Sequence, residues 1–435
     1  MRTGDAGRVL GLDFGTTNSV AALAGTGTGT APELVEFDGD QATGAVFRSA
    51  LCFWHSEDAR GGIAAEAGPW AIAEYLAYPQ DSRFIQSFKS VAASGNFEHA
   101  SIFDRRLRFE DLGRLFLERL VAHSGGRLDS RPRRIVVGRP VQYAGAHPDP
   151  ALARERYDRM FEGFGAEIHY VYEPLGAAFS YAARLTRPAT ILVADFGGGT
   201  SDFSIVQVAE PGSARRCTPL GTAGIGIAGD RFDYRILDRL VLPMLGKGGA
   251  YRSFGKTLEI PRSYFTDFGD WSRLALMRNR RTMDELARLR TGALDPAAID
   301  RMIAVIENEL GYPLYDAVGR LKRTLSSEDR AHFHFAGGGL EIEADVTREA
   351  LESWIVEDLA RIEAVVDRAL ASAGVSPKDI DRVFLTGGSS LIPAIRRIFD
   401  GRFGAGLIAT GGELTSIAHG LAMIGQEENL AEWSS

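Results

Sequence analysis

Two stretches of this sequence repeat one arrangement of chemistry-bearing residues, VLGLDFGTTNSVAAL from Val9 and ILVADFGGGTSDFSIV from Ile191. Each passes from an apolar run through Asp-Phe-Gly into a tight Gly/Thr turn and a second apolar run. Glycine permits the backbone conformations that turn successive N–H groups inward as a nest, and it lets phosphate oxygens approach without a Cβ in the way. Thr16, Thr17 and Thr200 add hydroxyl donors, so each turn has the parts needed to grip a polyphosphate. Asp13 and Asp195 end the first apolar run of each pair, where hard oxygen ligands or their bound waters complete a magnesium shell. Asp202 lies just beyond the second turn. A single strand-end aspartate is commonly only a turn cap, but two matching sites in one chain reverse that preference. The pattern is a hairpin grip: the P-loop signature GxxxxGK[ST] is absent. Nor does Asp-Phe-Gly make a protein kinase here, because the HRD and VAIK segments are missing.

The elements that must position these residues read as an α/β chain. RRIVVGRPV (133–141) has the composition of a buried strand, and ALARERYDRMFEGFGAEIHYVYEPLGAAFSYAARL reads as helix, short strand, turn and helix. Leu351, Ile355, Leu359, Ile362, Val366 and Leu370 recur at helical spacing after Thr347, a plausible N-cap, and before Gly374. RVFLTGGSSLIPAIRRIF gives strand, Gly-Gly turn and helix, and HFHFAGGGLEIEADV a hairpin. The segment from about 243 to 312 departs from the alternation. Within it DWSRLALMRNRRTMDELARLR is helical by spacing, and Arg273, Arg278, Arg280, Arg281, Arg288 and Arg290 fit a solvated helix face better than an acidic-partner or nucleic-acid contact. GTGTGT at 25–30 is expected to be a loose loop, since no helix follows it. His332 and His334 alternate on a strand without an evident third metal ligand, and Trp70, Trp271 and Trp354 are scattered as core or interface residues.

The chain of 435 residues is too long for one ordinary hydrophobic core, so two lobes are expected. Its net charge of -8 repels phosphate backbones and anionic membranes at long range, which argues against nucleic-acid and membrane partners. The N-terminus lacks the apolar core of a signal peptide, and no stretch approaches the roughly 18 apolar residues of a membrane span. A cytoplasmic protein is expected. Cys52 and Cys217, the only cysteines, suit a reducing compartment as packed core thiols.

With those residues in view, the sequence resembles the nucleotide-binding (ATPase) domain of the heat shock protein 70 or DnaK chaperone family, within the actin and sugar-kinase superfamily. GLDFGTTNS resembles the family's first phosphate loop, VADFGGGTSDFSIV the second, EPLGAAFSYA the connecting helix, and GIAGDRFDYRI the Gly-Gly-Glu-Asp-Phe-Asp segment. RLKRTLSSE is similar to the adenosine-contacting helix and VFLTGGSSLIPAI to the adenosine loop, so the motifs, in order, cover nearly the whole chain.

The resemblance implies an actin-like ATPase fold, with each lobe built on a ribonuclease-H-like mixed sheet and a cleft between the lobes. Lobe I is expected over 1–188, with core 1–35 and 130–188 and an inserted subdomain at about 36–129. Lobe II is expected over 189–411, with core 189–228 and 347–411 and an inserted subdomain at about 229–346 carrying the extra helical segment 243–312. A C-terminal helix in 412–435 would return to lobe I. It implies ATP or ADP and Mg2+ as ligands, with Asp13 and Asp195 as magnesium-shell aspartates and Glu173 ordering metal and water. Gly15, Thr16, Thr17 and Asn18 would grip phosphate, with Gly197, Gly198, Gly199 and Thr200 at the second phosphate region. Thr200 and Asp202 match positions that meet the γ-phosphate and the attacking water, and Lys89 in RFIQSFKSVA matches the lysine that offsets charge on the transferred group. Lys322, Arg323 and Ser326 match the adenosine helix, while Gly229, Gly387, Gly388 and Ser389 match positions close to the nucleotide.

Gly319 and Leu391 depart from the family, which usually has a ribose-binding glutamate and an adenine-stacking arginine there. Each loss removes on the order of 1 kcal/mol of nucleotide binding. The sequence ends after IAHGLAMIGQEENLAEWSS, which leads to the expectation of a YegD-like subgroup without a peptide-binding domain. The function implied is a slow, Mg-dependent ATP hydrolase acting as a conformational switch, monomeric, with a protein client or co-chaperone as partner. A sugar-type small-molecule kinase and an actin-like filament-forming ATPase remain open.

Overall fold

The two repeated stretches fold into two hairpins, each the centre of its own sheet. The protein is described here from a computed structural model covering residues 7–25, 30–37, 44–59, 61–129, 132–145, 147–213, 216–269, 274, 277–412, 414–428, 430 and 433. Most of the GTGTGT stretch, Arg273 and Trp271 lie outside these residues. Two compact units divide the chain: Met1–Gly229 with Ala360–Ser435, and Asp230–Leu359.

Both sheets belong to the first unit. In one, β1 (Val9–Phe14) pairs antiparallel with β2 (Asn18–Ala24) across the first Gly/Thr turn. On its other side β1 pairs in parallel with β3 (Arg134–Arg139), which in turn pairs in parallel with β4 (Glu167–Tyr172). Parallel neighbours need a crossover, and helix α1 (Pro150–Phe161) supplies the one between β3 and β4. The second sheet repeats the plan. β5 (Ala189–Phe196) pairs antiparallel with β6 (Ser201–Val208), β6 antiparallel with β7 (Cys217–Ile225), and β5 in parallel with β8 (Arg382–Thr386). Its register sets Asp195 opposite Asp202 on one side and beside Thr386 on the other.

One apolar core joins the two sheets. Val9, Val20 and Val136 of the first sheet share it with Ile191, Val193, Val206 and Phe384 of the second, together with Leu175 and Phe179 of helix α2 (Glu173–Ala182) and Leu421 of helix α3 (Ser416–Ile424). All residues of α2 are buried, which explains why it is apolar on every face. Helices α2 and α3 cross at a pair of glycines: a Cβ on Gly420 would stand 1.7 Å from the carbonyl oxygen of Gly176. Gly11 lets α3 lie equally close on β1, since a Cβ there would meet Ala418 O and Ala422 N at 2.3 Å.

A second cluster, rich in Phe14, Phe37, Phe47, Phe116 and Tyr157, underlies the three-stranded sheet of Ala50–His55, Ile63–Ala67 and Ser82–Gln86. Trp70 packs at its margin with its ring stacked 3.7 Å from that of His123. Both cysteines are free and buried, and burial pushes the Cys52 thiol up to about 11 and that of Cys217 up to about 12.

In the second unit the expected helical segment opens instead with a hairpin, Ala250–Ser253 with Lys256–Glu259, turned by Phe254 and Gly255 at φ 46° and 76°. Helices Arg280–Gly292 and Pro296–Glu307 follow. The Arg-rich segment is interrupted at 277–279, and a helix starts at Arg280, where the Asn279 side chain accepts the Thr282 N–H at 3.0 Å and caps it. Arg281 is exposed and pairs with Glu285 one turn on, as a solvated face requires. Hairpin Arg330–Gly337 with Leu340–Thr347 forms as expected. Helix Arg348–Ala373, which belongs to the first unit from Ala360 on, follows, the Thr347 hydroxyl accepting the Ala350 N–H at 3.1 Å and Gly374 ending it at φ 66°.

Candidate functional site

The structure gathers four carboxylates and one lysine where the two hairpins turn. Asp13 and Asp195 stand at the ends of β1 and β5, Asp202 is the second residue of β6, and Glu173 is the first residue of α2. Lys89 reaches the group from the three-stranded sheet. After Gln86 the chain reverses at Ser87, which adopts φ 52°, and Phe88 inserts against Phe14 and Phe116 at 5.5 and 5.8 Å. The next residue, Lys89, is thereby delivered with its Nζ 2.5 Å from Glu173 Oε1, both side chains buried. Gly138 of β3 leaves room for that glutamate, since a Cβ would stand 2.9 Å from Glu173 Cγ.

Excess negative charge dominates the electrostatics. Burial, then Glu173, push Asp13 up to about 7, with Lys89 acting against them. Burial, then Glu173, Asp13 and Asp202, hold Asp195 well above the usual carboxylate range. Asp202 is likewise pushed up to about 7 by burial and Glu173, against the opposing pull of Thr200 and of the Gln142 and Val141 N–H groups. On Lys89 burial opposes the charge, but Glu173 and Asp13 outweigh it and raise its pKa.

Asp202 is fully buried, and its Oδ1 accepts from Val141 N at 2.9 Å and Gln142 N at 3.2 Å. Its Oδ2 has no hydrogen-bond partner among the described residues. One lysine facing four carboxylates, with one carboxylate oxygen orphaned, is a donor set that suits a hard divalent cation.

The glycine turns meet above these groups. Gly15 has no space for a side chain, because a Cβ would lie 2.1 Å from Asn18 O. Ser49 takes the Gly15 carbonyl with its hydroxyl at 2.6 Å and the Thr17 carbonyl with its N–H at 3.0 Å, and Arg48 donates to Asn18 Oδ1 at 3.0 Å. In the second turn Gly197 N–H donates to Thr200 O at 3.0 Å, and Gly229 N–H to Gly197 O at 3.2 Å. The two turns touch at their tips: a Cβ on Gly199 would stand 3.1 Å from Thr16 Oγ1. Gly387, at φ 81°, closes on β5, where a Cβ would lie 2.2 Å from Phe196 O. Gly388 after it faces open space, and Ser389 is buried.

Asp13, Gly15 to Asn18, Lys89, Glu173, Asp195, Gly197 to Thr200, Asp202, Gly229 and Gly387 to Ser389 thus all lie in the first unit. Lys322, Arg323 and Ser326 lie in the second, on helix Gly311–Ser327, with Lys322 Nζ 2.8 Å from Asp233 Oδ2. Leu391 is exposed. Sequence reasoning missed Ser49 and the Val141 and Gln142 amides, because nothing local marks a serine or a loop amide that acts at long range. It also missed the acidic partners of the histidine strand, where the hairpin register brings Glu341 and Glu343 to within 3.5 and 3.9 Å of His334. All three are exposed, with His334 in reach of both carboxylates.

Comparisons with known proteins agree on one family. The family model described as "Hsp70 protein" matches residues 304–426. The chain is 25% identical over 406 residues to the "Chaperone protein DnaK" of Deinococcus deserti, covering 90% of this chain and 55% of that protein. It is 24% identical over 412 residues to the "Chaperone protein dnaK1" of a Nostoc species, covering 90% and 50%. The same identity over 412 residues relates it to "Heat shock 70 kDa protein 6, chloroplastic" of Arabidopsis thaliana, covering 90% and 48%. The chain spans about half the length of the curated relatives it matches.

Proposed function

We propose that this chain, an Hsp70-family nucleotide-binding domain with an actin-like ATPase fold, binds Mg–ATP at the paired glycine turns and hydrolyses it slowly. The observation that carries the reading is the meeting of the two turns at Thr16 and Gly199, above Asp13, Lys89, Glu173, Asp195 and Asp202.

The backbone and hydroxyls of Gly15 to Asn18 and Gly197 to Thr200 grip the phosphates. Asp13 and Asp195 hold the cation, directly or through water, and Mg2+ supplies neutralisation of phosphate charge there. Lys89, kept charged by Glu173 and Asp13, faces the negative charge that builds on the transferred phosphoryl group. Asp202, whose carboxyl sits near 7, accepts a proton from the attacking water at about neutral pH, aided by Thr200. The turn at Gly387 and Gly388 forms the nucleoside side. Hydrolysis then serves a cytoplasmic, chaperone-related switch whose nucleotide state is read by a protein client or co-chaperone.

The test is Mg–ATP binding and single-turnover hydrolysis for wild type, Asp13→Ala, Asp195→Ala and Thr200→Ala, with no added phosphate acceptor. Binding and slow turnover by the wild type, with each variant lowering turnover by about 100-fold, is the expected result. A wild type that neither binds nor hydrolyses ATP overturns the reading, and turnover that depends on an added sugar or polyol assigns a kinase instead.

A further inference from the structure

We infer that Arg156 is a positioning residue for Lys89, an inference that rests on the ATPase reading above. Lys89 sits on a single 3-10 turn, Phe88–Val91, which is too short to hold its own shape. The segment that follows it presents carbonyl oxygens that this turn cannot satisfy. Arg156, on the buried side of α1, takes them: Nη1 donates to the carbonyls of Val91 at 2.8 Å, Ala92 at 2.9 Å and Ser94 at 3.1 Å, and Nη2 to Phe97 at 2.5 Å. The Phe97 ring lies beside the guanidinium at 5.8 Å. Asp149, which caps α1, adds its own N–H to Ala93 O at 2.9 Å. Asp149 and Arg156 thus grip Val91, Ala92, Ala93, Ser94 and Phe97 through their carbonyls.

No carboxylate forms an ion pair with this guanidinium among the described residues, although it is only 9% exposed. Glu110, Glu155 and Asp149 favour its charge from nearby, but its hydrogen bonds go to carbonyl oxygens, which use the planar fork that a lysine lacks. A cation at the C-terminal end of a helical turn also meets the negative end of its dipole.

The placement ties both halves of the buried ion pair to one connection. Helix α1 holds the turn that carries Lys89, and it leads directly into β4, whose last residue, Tyr172, precedes Glu173. Loss of the Arg156 fork frees the segment after Lys89, and the ammonium loses its fixed place before the phosphoryl group. Because the glycine turns are untouched, the loss falls on the chemical step and not on nucleotide affinity.

The experiment compares wild type, Arg156→Lys, Arg156→Met, Lys89→Ala and the Arg156→Met/Lys89→Ala double variant. Arg156→Met is expected to lower kcat by about tenfold or more while the Mg–ATP Kd changes less than about threefold. Arg156→Lys, expected to fold even if the methionine variant does not, should show most of the same loss. In the Lys89→Ala background the Arg156 change should add less than about twofold, because the residue it positions is gone.

A second readout needs no activity. Acylation of Lys89 by an amine reagent, followed by mass spectrometry with exposed Lys378 as control, should be slow in the wild type and at least about fivefold faster in both Arg156 variants. Multiplicative kcat losses in the double variant, or unchanged Lys89 acylation in folded Arg156 variants, overturn the inference. A wild type without turnover defeats the ATPase reading alone, and the acylation arm still decides whether Arg156 holds Lys89.

Discussion

Replacing Gly420 with alanine should destabilise the first unit even though alanine is the better helix former. The opposing effects can be sized. In the middle of a helix the substitution alone is worth about 1 kcal/mol of stabilisation. At Gly420 the added Cβ would lie 1.7 Å from Gly176 O, 2.5 Å from Gly176 C and 3.0 Å from Ser180 N. Those neighbours are backbone atoms of a wholly buried helix and cannot swing aside, so α2 and α3 must part by about 1 Å or more and give up contact along their crossing, at a cost of about 3 kcal/mol.

The net expectation is a loss of about 2 kcal/mol, seen as a lower urea midpoint and a Tm lower by about 5 °C. Gly401 is the control, because it lies on helix Pro393–Phe403 with nothing within 4 Å of its built Cβ. There the same change should stabilise by about 0.5 kcal/mol. The functional corollary is lower turnover in Gly420→Ala, since Glu173 stands three residues before Gly176 on the displaced helix. A Gly420→Ala protein as stable as wild type, or a Gly401→Ala protein destabilised as much, would refute the reasoning.

Three further predictions concern other positions. A Cβ at Gly224 would stand 2.4 Å from Asp202 Oδ1 and 3.1 Å from Gln142 N, so Gly224→Ala should push the carboxylate off its amide donors and reduce turnover by about tenfold in a stopped assay; unchanged turnover would count against a role for Asp202. Asp358 is fully buried and holds Arg235 at 2.7 Å and Arg231 at 3.6 Å; Asp358→Ala should cost about 3–5 kcal/mol in urea unfolding, and a loss under about 1 kcal/mol would show that the arginines re-solvate freely. Burial, then Arg184, lower the pKa of His419 below its ordinary 6.5. The unfolded chain then binds a proton that the folded chain refuses, so this contribution is complete above pH 6.5 and is lost as the pH falls below it. His419→Gln should flatten the acid limb of the Tm profile, and parallel profiles would remove His419 as its cause.

The parts of this protein that could be read from sequence are those whose chemistry is local. The two Gly/Thr turns after Asp13 and Asp195 announced themselves because each follows Asp-Phe between two apolar runs, and the structure sets them tip to tip at Thr16 and Gly199. The hairpin at 330–347 and the helix from Arg348 followed from plain periodicities of two and 3.6. Lys89 had no local signature and came only from resemblance, since its burial depends on Ser87, Phe88 and a glutamate far along the chain. Arg156 was invisible for the same reason: an arginine in a polar helix looks like surface until its carbonyl partners are known. The hairpin of Ala250–Ser253 and Lys256–Glu259 hid because its strands are short and mostly polar, and exposed polar alternation carries little pattern.

The glycine seam of α3 also bears on how the chain is made. β1 emerges from the ribosome well before α3, so the face it turns to Ala418 and Ala422 has no cover until residues beyond Ser416 have been synthesised. At about 5–20 residues per second that interval lasts tens of seconds. During it, the apolar face formed by Val9, Val136 and Leu175 remains without Leu421 and Ile424. This unit therefore spends much of its own synthesis in need of shielding, and stalling translation before Ser416 should leave it trapped by holdases or proteases.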